Sequence, residues 1–132
     1  MGNSLEGRSI KGVKITGPDS AEFPKASRPQ ILWHGAQHAR EWISPMVNMY
    51  LGDQLLMQYA SGGTAKDLLD RVEFIIVPVV NADGYEYTWT TNRLWRKNRR
   101  NNGGSYGVDL NRNWGYQWGG EGASTSPRRT PW

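Results

Sequence analysis

The sequence of 132 residues contains no cysteine, and only 37% of its residues are hydrophobic. No disulfide can therefore stabilise the fold, and cysteine usage gives no information about the redox compartment. No apolar run reaches the roughly 20 residues that a membrane-spanning helix needs, so we expect no membrane span. The first seven residues also lack the apolar stretch of a secretory signal. A chain of this length fits one domain, and its 16 glycines and 7 tryptophans indicate a loop-rich fold with aromatic packing.

The net charge of +4 is concentrated in one short stretch, residues 93–100. Basic residues near tryptophans are typical of nucleic-acid-binding surfaces. A solvated loop is the plainer interpretation, and no nucleic-acid-binding module surrounds the run, so we expect no nucleic-acid partner. A third interpretation assigns one or two of these arginines to an anionic substrate group. The five cations of the run are Arg93, Arg96, Lys97, Arg99 and Arg100.

The most informative motif is QHAREW at residues 37–42, where His38 and Glu41 lie three residues apart beside Arg40. A neutral imidazole and a carboxylate suit Zn²⁺, and hydrolytic zinc sites use three protein ligands plus an open position. The planar fork of Arg40 can grip a carboxylate near such a metal. A His-x-x-Glu pair alone is weak support, because most such pairs are surface coincidences. The second polar cluster at residues 107–114 (GVDLNRNW) strengthens the interpretation.

Two segments, one before and one after a predicted loop, have the sequence pattern of strands. Residues 9–15 alternate polar and apolar side chains, which is the pattern of a half-buried strand. Residues 17–29 are expected to form a loop, and residues 30–33 a short apolar strand that delivers His38 beyond its C-terminal end. Sites in open α/β sheets lie outside the carboxyl ends of the strands. His34 is expected to pack within the fold rather than to act as a ligand.

Residues 43–59 carry apolar side chains at helical spacing and predict an amphipathic helix. Ser44 suits its N-cap and Pro45 its first turn. Residues 64–67 (TAKD) resemble a capping box that opens a short second helix ending at Arg71. The apolar positions of the first helix are Ile43, Met46, Val47, Tyr50, Leu51 and Leu55.

Residues 73–80 are nearly all aliphatic, which predicts a strand buried on both faces. Pro78 removes one backbone donor, so the strand should fray or reach an edge there. Residues from 81 onward are expected to be mostly loop, with a turn at residues 101–104. Strand, helix and strand in succession, with a loop-borne polar site, are typical of an α/β fold.

Five segments in chain order resemble the zinc metallocarboxypeptidase family of the pancreatic carboxypeptidase A/B type. They cover about residues 4–127, well under half of a full catalytic domain of that family. The resemblance implies that residues 1–132 are a single partial domain, the N-terminal portion of that catalytic domain. It also implies a mixed, mostly parallel central sheet with helices on both faces. The segments are residues 4–8 (SLEGR), 37–42, 81–85 (NADGY), 92–97 (NRLWRK) and 107–114.

The same resemblance implies Zn²⁺ as the cofactor, with His38 and Glu41 as the first two metal ligands. An ordinary surface polar pair is the alternative for these two residues. Asp109 corresponds to the carboxylate that hydrogen-bonds the first zinc histidine and fixes its tautomer, and a turn aspartate is the alternative. We therefore expect the side chains of His38 and Glu41 to converge on one point, with Asp109 within hydrogen-bond reach of the His38 ring.

Further positions match the substrate-binding and catalytic arginines of the family. Asn111 and Arg112 correspond to the pair that binds the free C-terminal carboxylate of a peptide. Arg96 corresponds to the arginine that stabilises the oxyanion of the tetrahedral intermediate. Arg40 and Arg93 correspond to further substrate-binding positions, although a solvated loop is an equal alternative for Arg93. We expect all of these side chains except that of Arg93 to line one concavity.

The sequence also departs from the family pattern. The third zinc histidine, the general-base glutamate and a substrate-closing tyrosine all come later in the family, and no histidine follows His38 here. The tail at residues 128–132 (RRTPW) does not resemble the family's continuation. We interpret the chain as a zinc carboxypeptidase fragment. The alternative is a non-catalytic fragment that binds C-terminal carboxylates.

The family resemblance also sets expectations for partners and location. Peptide or protein C-termini are the expected substrates, and the chain is expected to be a monomer. An extracellular location is implied by the resemblance alone. With two protein ligands and no general base, the 132-residue chain by itself should bind zinc weakly and have little or no peptidase activity.

Overall fold

The computed structural model describes residues 1–121, so the tail at residues 128–132 lies outside the described residues. The chain forms two compact units. Unit 1 comprises Met1–Ile10, Ala36–Trp42 and the residues from Val79 onward, and unit 2 comprises Lys11–Gly35 and Ile43–Pro78. The single partial domain that the sequence predicts over residues 1–132 stays a prediction.

The secondary structure consists of five short strands, three α-helices and two single turns of 3₁₀-helix within the described residues. Among these residues, no helix combines the length and the apolar character needed to cross a bilayer. In chain order the elements are β1 (Gly2–Asn3), β2 (Ser9–Ile10), β3 (Val13–Ile15), a 3₁₀ turn (Lys25–Ser27), β4 (Gln30–His34), α1 (Ile43–Ala60), α2 (Thr64–Arg71), β5 (Glu73–Val77), α3 (Ala82–Thr90) and a 3₁₀ turn (Leu110–Arg112).

Unit 2 contains a three-stranded mixed sheet in the order β3-β5-β4. The central strand β5 runs antiparallel to β3 and parallel to β4, with Ile76 opposite both Val13 and Trp33. Four of its five residues are buried, which confirms a strand covered on both faces. The strand ends at Val77, so Pro78 does terminate the ladder as predicted. The mixed sheet and its helices confirm the α/β class.

The core of unit 2 is built from buried residues of β3, α2 and β5, namely Ile15, Leu69, Phe74 and Ile76. Trp33 on β4 packs against it, with its ring centroid 4.8 Å from that of Phe74. Gly52 lets α1 approach this core closely, because a Cβ atom at that position would lie only 2.9 Å from Cδ1 of Ile76. A small residue at the contact therefore sets the distance between helix and sheet.

The helix α1 confirms the predicted element but not the predicted buried face. Pro45, Asn48 and Gly52 are its buried residues. Five of the six apolar positions that the periodicity selected are exposed instead: Ile43, Met46, Val47, Tyr50 and Leu51. The helix is apolar on most of its circumference, so spacing alone did not identify the contact face. The face that contains Gly52 packs on the sheet, because this small residue allows the closest approach. Ser44 lies inside α1, so its predicted N-cap role is wrong.

Two further local predictions are wrong. Residues 9–15 do not form one strand but two, since β2 pairs with β1 and β3 pairs with β5. The alternating pattern identifies a strand but not its partner, and here the two halves have different partners. The predicted capping box at residues 64–67 is absent, because Gly63 is the N-cap of α2 and no side chain caps the helix. The Gly63 carbonyl accepts the Asp67 amide instead, at 3.0 Å.

The NADGY segment forms the start of α3 and not a loop turn, which corrects the expectation for the residues after 80. Asn81 is the N-cap and its side-chain oxygen accepts a hydrogen bond from the Gly84 amide at 3.0 Å. The turn expected at residues 101–104 is present, with Asn101 bridging to Tyr106.

Asp83, in the first turn of α3, binds the SLEGR segment of unit 1. Its carboxylate accepts hydrogen bonds from the Ser4 hydroxyl, the Glu6 amide at 3.0 Å and the Arg8 guanidinium at 2.8 Å. Burial favours the neutral acid, but these three donors outweigh it and hold the pKa of Asp83 below its ordinary value. Two segments that resemble the family separately in sequence are thus direct contact partners in the fold.

Candidate metal and substrate site

The turn that carries His38 and Glu41 is fixed by backbone hydrogen bonds within unit 1. The Ala39 amide donates to the Arg96 carbonyl at 2.9 Å, and the Glu41 amide donates to the His38 carbonyl at 3.1 Å. The Arg93 guanidinium donates to the Arg40 carbonyl at 2.9 Å. The turn is thereby tied to residues 93–96, which belong to a distant part of the sequence.

The side chains of His38 and Glu41 meet, as the sequence predicted. His38 Nδ1 and Glu41 Oε1 are 2.9 Å apart. His38 is buried, whereas the Glu41 side chain is 49% exposed, so the meeting point lies at the surface of unit 1. The expected convergence is confirmed, and the ligand role of the two residues stays a prediction.

Asp109 holds the other side of the His38 ring. Its Oδ1 lies 3.0 Å from His38 Nε2 and also accepts the Asn111 amide at 3.0 Å. Its Oδ2 accepts from Arg96 Nε at 2.9 Å. Burial opposes ionisation of the Asp109 carboxyl, but the hydrogen bond and charge of Arg96 outweigh it, so the pKa of Asp109 lies below its ordinary value. The expected contact between Asp109 and the His38 ring is confirmed.

This arrangement determines which nitrogen of His38 can bind a cation. An ionised Asp109 only accepts hydrogen bonds, so His38 Nε2 must carry the proton that it donates. In the neutral ring, Nδ1 then presents a lone pair to Glu41 Oε1, 2.9 Å away. Two acceptors at that distance repel unless a proton or a metal ion lies between them. The donor set therefore fits a Zn²⁺ ion held by one imidazole nitrogen and one carboxylate oxygen.

Within residues 1–121, no three side chains of His, Cys, Asp or Glu are arranged so that they could hold a metal ion together. His38 and Glu41 are thus a pair of candidate ligands and not a full coordination set.

Arg96 is buried between the two carboxylates of the site. Its Nη1 lies 3.7 Å from Glu41 Oε1, while its Nε is bound to Asp109. Lys97, the next residue, is also buried, and its burial lowers the pKa of the ammonium group although the Asp109 charge opposes this in part. The basic run therefore does not form one solvated loop, because two of its five cations are inside unit 1.

The remaining predicted residues are connected to the site less directly. Asn111 reaches Asp109 through its backbone amide. Arg112 is exposed, and Nη1 of its guanidinium donates to the Asn111 carbonyl at 2.9 Å. Arg40 is half-buried, and its carbonyl, rather than its side chain, receives Arg93. The structure brings Arg96 and Asn111 to the His38 cluster through Asp109, and the predicted shared concavity stays a prediction.

Trp42 and Lys97 are two features of the site that the sequence did not reveal. Trp42 stacks on Trp89 and donates its indole N–H to Thr88 at 2.8 Å. In the sequence, the position of Trp42 directly after Glu41 was the one indication that Trp42 has a structural role. Lys97 could not be distinguished from the exposed cations of the run, Arg93 and Arg100, because a run of basic residues has no periodicity that separates inside from outside.

Comparison with known proteins identifies the relatives of this chain. The sequence profile of the family described as "Zinc carboxypeptidase" matches residues 1–132. A metallocarboxypeptidase A-like protein from Trichophyton verrucosum is 46% identical over 127 residues, which is 96% of this chain and 28% of that protein. An inactive metallocarboxypeptidase from Uncinocarpus reesii is 40% identical over 130 residues, which is 96% of this chain and 22% of that protein.

A solved structure agrees with these sequence matches. The crystal structure of thrombin-activatable fibrinolysis inhibitor superposes with a TM-score of 0.80 at 34% sequence identity, covering 98% of this chain and 34% of that one. The fold described above therefore corresponds to about a third of that structure. The chain spans less than a third of the length of the curated relatives that it matches, at 28% and 22% of the two named here.

Proposed function

This chain belongs to the zinc carboxypeptidase family, and from that premise we propose that His38 and Glu41 are two zinc ligands of a metallocarboxypeptidase. The proposed reaction is hydrolytic release of the C-terminal amino acid of a peptide or protein. The whole protein's activity and substrates are part of this proposal, because the chain covers only 28% of its relative from Trichophyton verrucosum. An extracellular location stays a prediction.

The single observation that supports this proposal most is the 2.9 Å approach of His38 Nδ1 to Glu41 Oε1. Asp109 keeps the proton on the opposite ring nitrogen, so the lone pair of Nδ1 points toward the carboxylate. A histidine ligand in a zinc site usually has such a partner, which fixes the tautomer and raises the basicity of the metal-binding nitrogen. The pair therefore has the orientation that metal binding requires.

The other polar residues would act on the substrate. Arg96 is held by Asp109 with its Nη1 beside Glu41, where a cation can stabilise negative charge that develops on a carbonyl oxygen. The exposed Arg112 can anchor a C-terminal carboxylate through two parallel hydrogen bonds, with Asn111 beside it. Arg40 would contribute a further positive charge. When bound, zinc supplies Lewis-acid chemistry at the scissile bond.

Zinc titration of the 132-residue chain by isothermal calorimetry tests the metal site. We expect weak binding with one ion per chain, which H38A and E41Q each weaken by at least about tenfold, because either change leaves a single protein ligand. E86Q is the matched control, since Glu86 is an exposed glutamate on α3. Equal zinc affinity in E41Q and E86Q would show that Glu41 is not a ligand.

Turnover is tested separately with a peptide that has a free C-terminus. We expect the chain by itself to hydrolyse it slowly or not at all, because two ligands and no general base are insufficient for the reaction. Chelator-sensitive turnover at a rate comparable to that of a complete carboxypeptidase would contradict this expectation.

A second candidate is a non-catalytic protein that binds C-terminal carboxylates. The reason for this candidate is that the relative from Uncinocarpus reesii is named an inactive metallocarboxypeptidase. Exposure of the Arg112 guanidinium is compatible with binding in the absence of catalysis. Binding of a free-acid peptide that is lost when the C-terminus is amidated, together with no zinc binding in the calorimetric titration, would support this candidate over the metal site.

A further inference from the structure

Trp42 is covered on both faces by groups from another segment of unit 1. The Arg93 guanidinium carbon lies 3.7 Å from the centre of the Trp42 ring. The Trp89 ring centroid lies 3.9 Å from that of Trp42, with the two planes 13° apart. Since neither group can fit beside the other at that distance on one face, they cover opposite faces. Trp42 therefore lies between a cation and a second indole.

Arg93 is bound to both neighbours of Glu41. Its guanidinium carbon lies over the Trp42 ring, and its Nη1 donates to the Arg40 carbonyl at 2.9 Å. The indole N–H of Trp42 in turn donates to Thr88 on α3 at 2.8 Å. One guanidinium thus contacts the backbone before Glu41 and the side chain after it.

This support matters because the Glu41 side chain has little packing of its own. It is 49% exposed, whereas the His38 side chain is 8% exposed. An exposed carboxylate keeps a defined direction only if its backbone is held, and the direction sets whether it meets His38 Nδ1. Arginine is suited to this task because a planar guanidinium can stack and donate hydrogen bonds at the same time, which the ammonium group of lysine cannot do.

We propose that Arg93 is a positioning residue that holds Glu41 toward His38 by clamping Arg40 and Trp42. This inference rests on the proposed metal site at His38 and Glu41. The direct substrate contact that the family resemblance implies for Arg93 stays a prediction beside this role. The guanidinium lies against the Trp42 ring and the Arg40 carbonyl, so its action on the metal pair is exerted through these two neighbours of Glu41.

The test uses amide hydrogen exchange measured by NMR on the metal-free 132-residue chain. R93K keeps the positive charge but loses the planar stack, and we expect it to speed exchange of the Ala39 and Glu41 amides about fivefold. The Val72 amide, bound to the Leu68 carbonyl in unit 2, reports on global stability and should not change. The control is R100K, which makes the same replacement at an exposed arginine of the same run.

A second variant tests whether Arg93 acts through Trp42. W42F removes the larger ring and the bond to Thr88, so adding R93K to W42F should change exchange by clearly less than about fivefold. Unchanged exchange of the Glu41 amide in R93K, or an equal effect of R93K with and without W42F, would overturn the proposal. An equal rise at Val72 would also overturn it, because the effect would then be global unfolding.

Zinc affinity separates this inference from the proposed function. If the metal site is correct, R93K should weaken zinc binding about three- to tenfold, while R100K should not. If H38A and E41Q bind zinc as the parent does, the metal site is wrong. The exchange rates of the metal-free chain would still decide whether Arg93 holds the turn.

Discussion

His38 Nε2 and Asp109 Oδ1 lie 3.0 Å apart, although 71 residues of sequence separate them. The same carboxylate binds Arg96 through its second oxygen at 2.9 Å. One buried aspartate thus orients a candidate metal ligand and a candidate oxyanion-stabilising arginine together. Asp109 also caps the 3₁₀ turn Leu110–Arg112, so it is a turn aspartate that makes these contacts as well, and its substitution should affect both stability and metal binding.

Replacement of Asp109 by alanine should destabilise the chain by about 3–5 kcal/mol, because it leaves the buried Arg96 charge without its partner. Urea denaturation monitored by tryptophan fluorescence measures this loss. D53A is the control, since Asp53 is exposed on α1. A loss in D109A no larger than that in D53A would show that the buried pair contributes little.

The lowered pKa of Asp83 predicts a contribution to stability that depends on pH. Its carboxylate stabilises the fold fully above the pKa of the unfolded state, about 3.9, and this contribution is lost as the pH falls through the lower folded pKa. The free energy of unfolding of D83N should therefore differ most from that of the parent at pH 5–7, and the difference should shrink below about pH 4. Urea titrations across this range provide the measurement. A gap that stays constant down to acid pH would mean that the bonds to Ser4, Glu6 and Arg8 do not require the charge.

G84A should destabilise the chain by about 1–3 kcal/mol, although alanine favours helix more than glycine by about 1 kcal/mol. The new Cβ would lie 2.5 Å from the Lys97 carbonyl and 2.6 Å from the Asn81 side-chain oxygen that caps α3. These neighbours cannot move without loss of the cap. Thermal unfolding compared with G115A, where a Cβ meets nothing within 4 Å, is the measurement. A melting temperature of G84A equal to or above that of G115A would contradict the prediction.

R112A should weaken binding of a peptide with a free C-terminus about 10- to 100-fold, because one charged hydrogen-bonding anchor is lost. Fluorescence anisotropy with a labelled peptide measures this, with the C-terminally amidated peptide as the comparison. The amide should bind the parent chain weakly and be insensitive to R112A. Similar affinity of both peptides for the parent would remove the basis for a carboxylate anchor.

The secondary structure was predictable wherever a single segment determines it. The strands β4 and β5 and the helix α1 follow from apolar runs and helical spacing, and Pro78 does end its strand. The helix α2 is present where it was predicted, although the capping box that predicted it is absent. The predicted secondary structure was wrong where contacts with distant segments decide which element forms. Residues 9–15 divide between two sheets, and α3 depends on the cap by Asn81 and on contacts of Asp83 with the SLEGR segment.

The buried face of α1 was not predictable from its spacing. Apolar residues occur around most of the helix, so the periodicity allowed more than one stripe to face the sheet. Gly52 decided the outcome, because it permits an approach to Ile76 that a larger residue would block. Steric fit against a neighbour is not encoded in the helix alone.

The sequence by itself determined which two residues form the candidate pair, His38 and Glu41, through the motif that they share with the zinc carboxypeptidase family. It also determined the family, through short motifs in a fixed order. Only the tertiary structure placed Asp109, Arg96 and Arg93 against that turn, since each comes from a segment more than fifty residues away. Motifs are set by neighbouring residues, whereas the ring orientation and tautomer of His38 depend on groups that meet only when the chain folds.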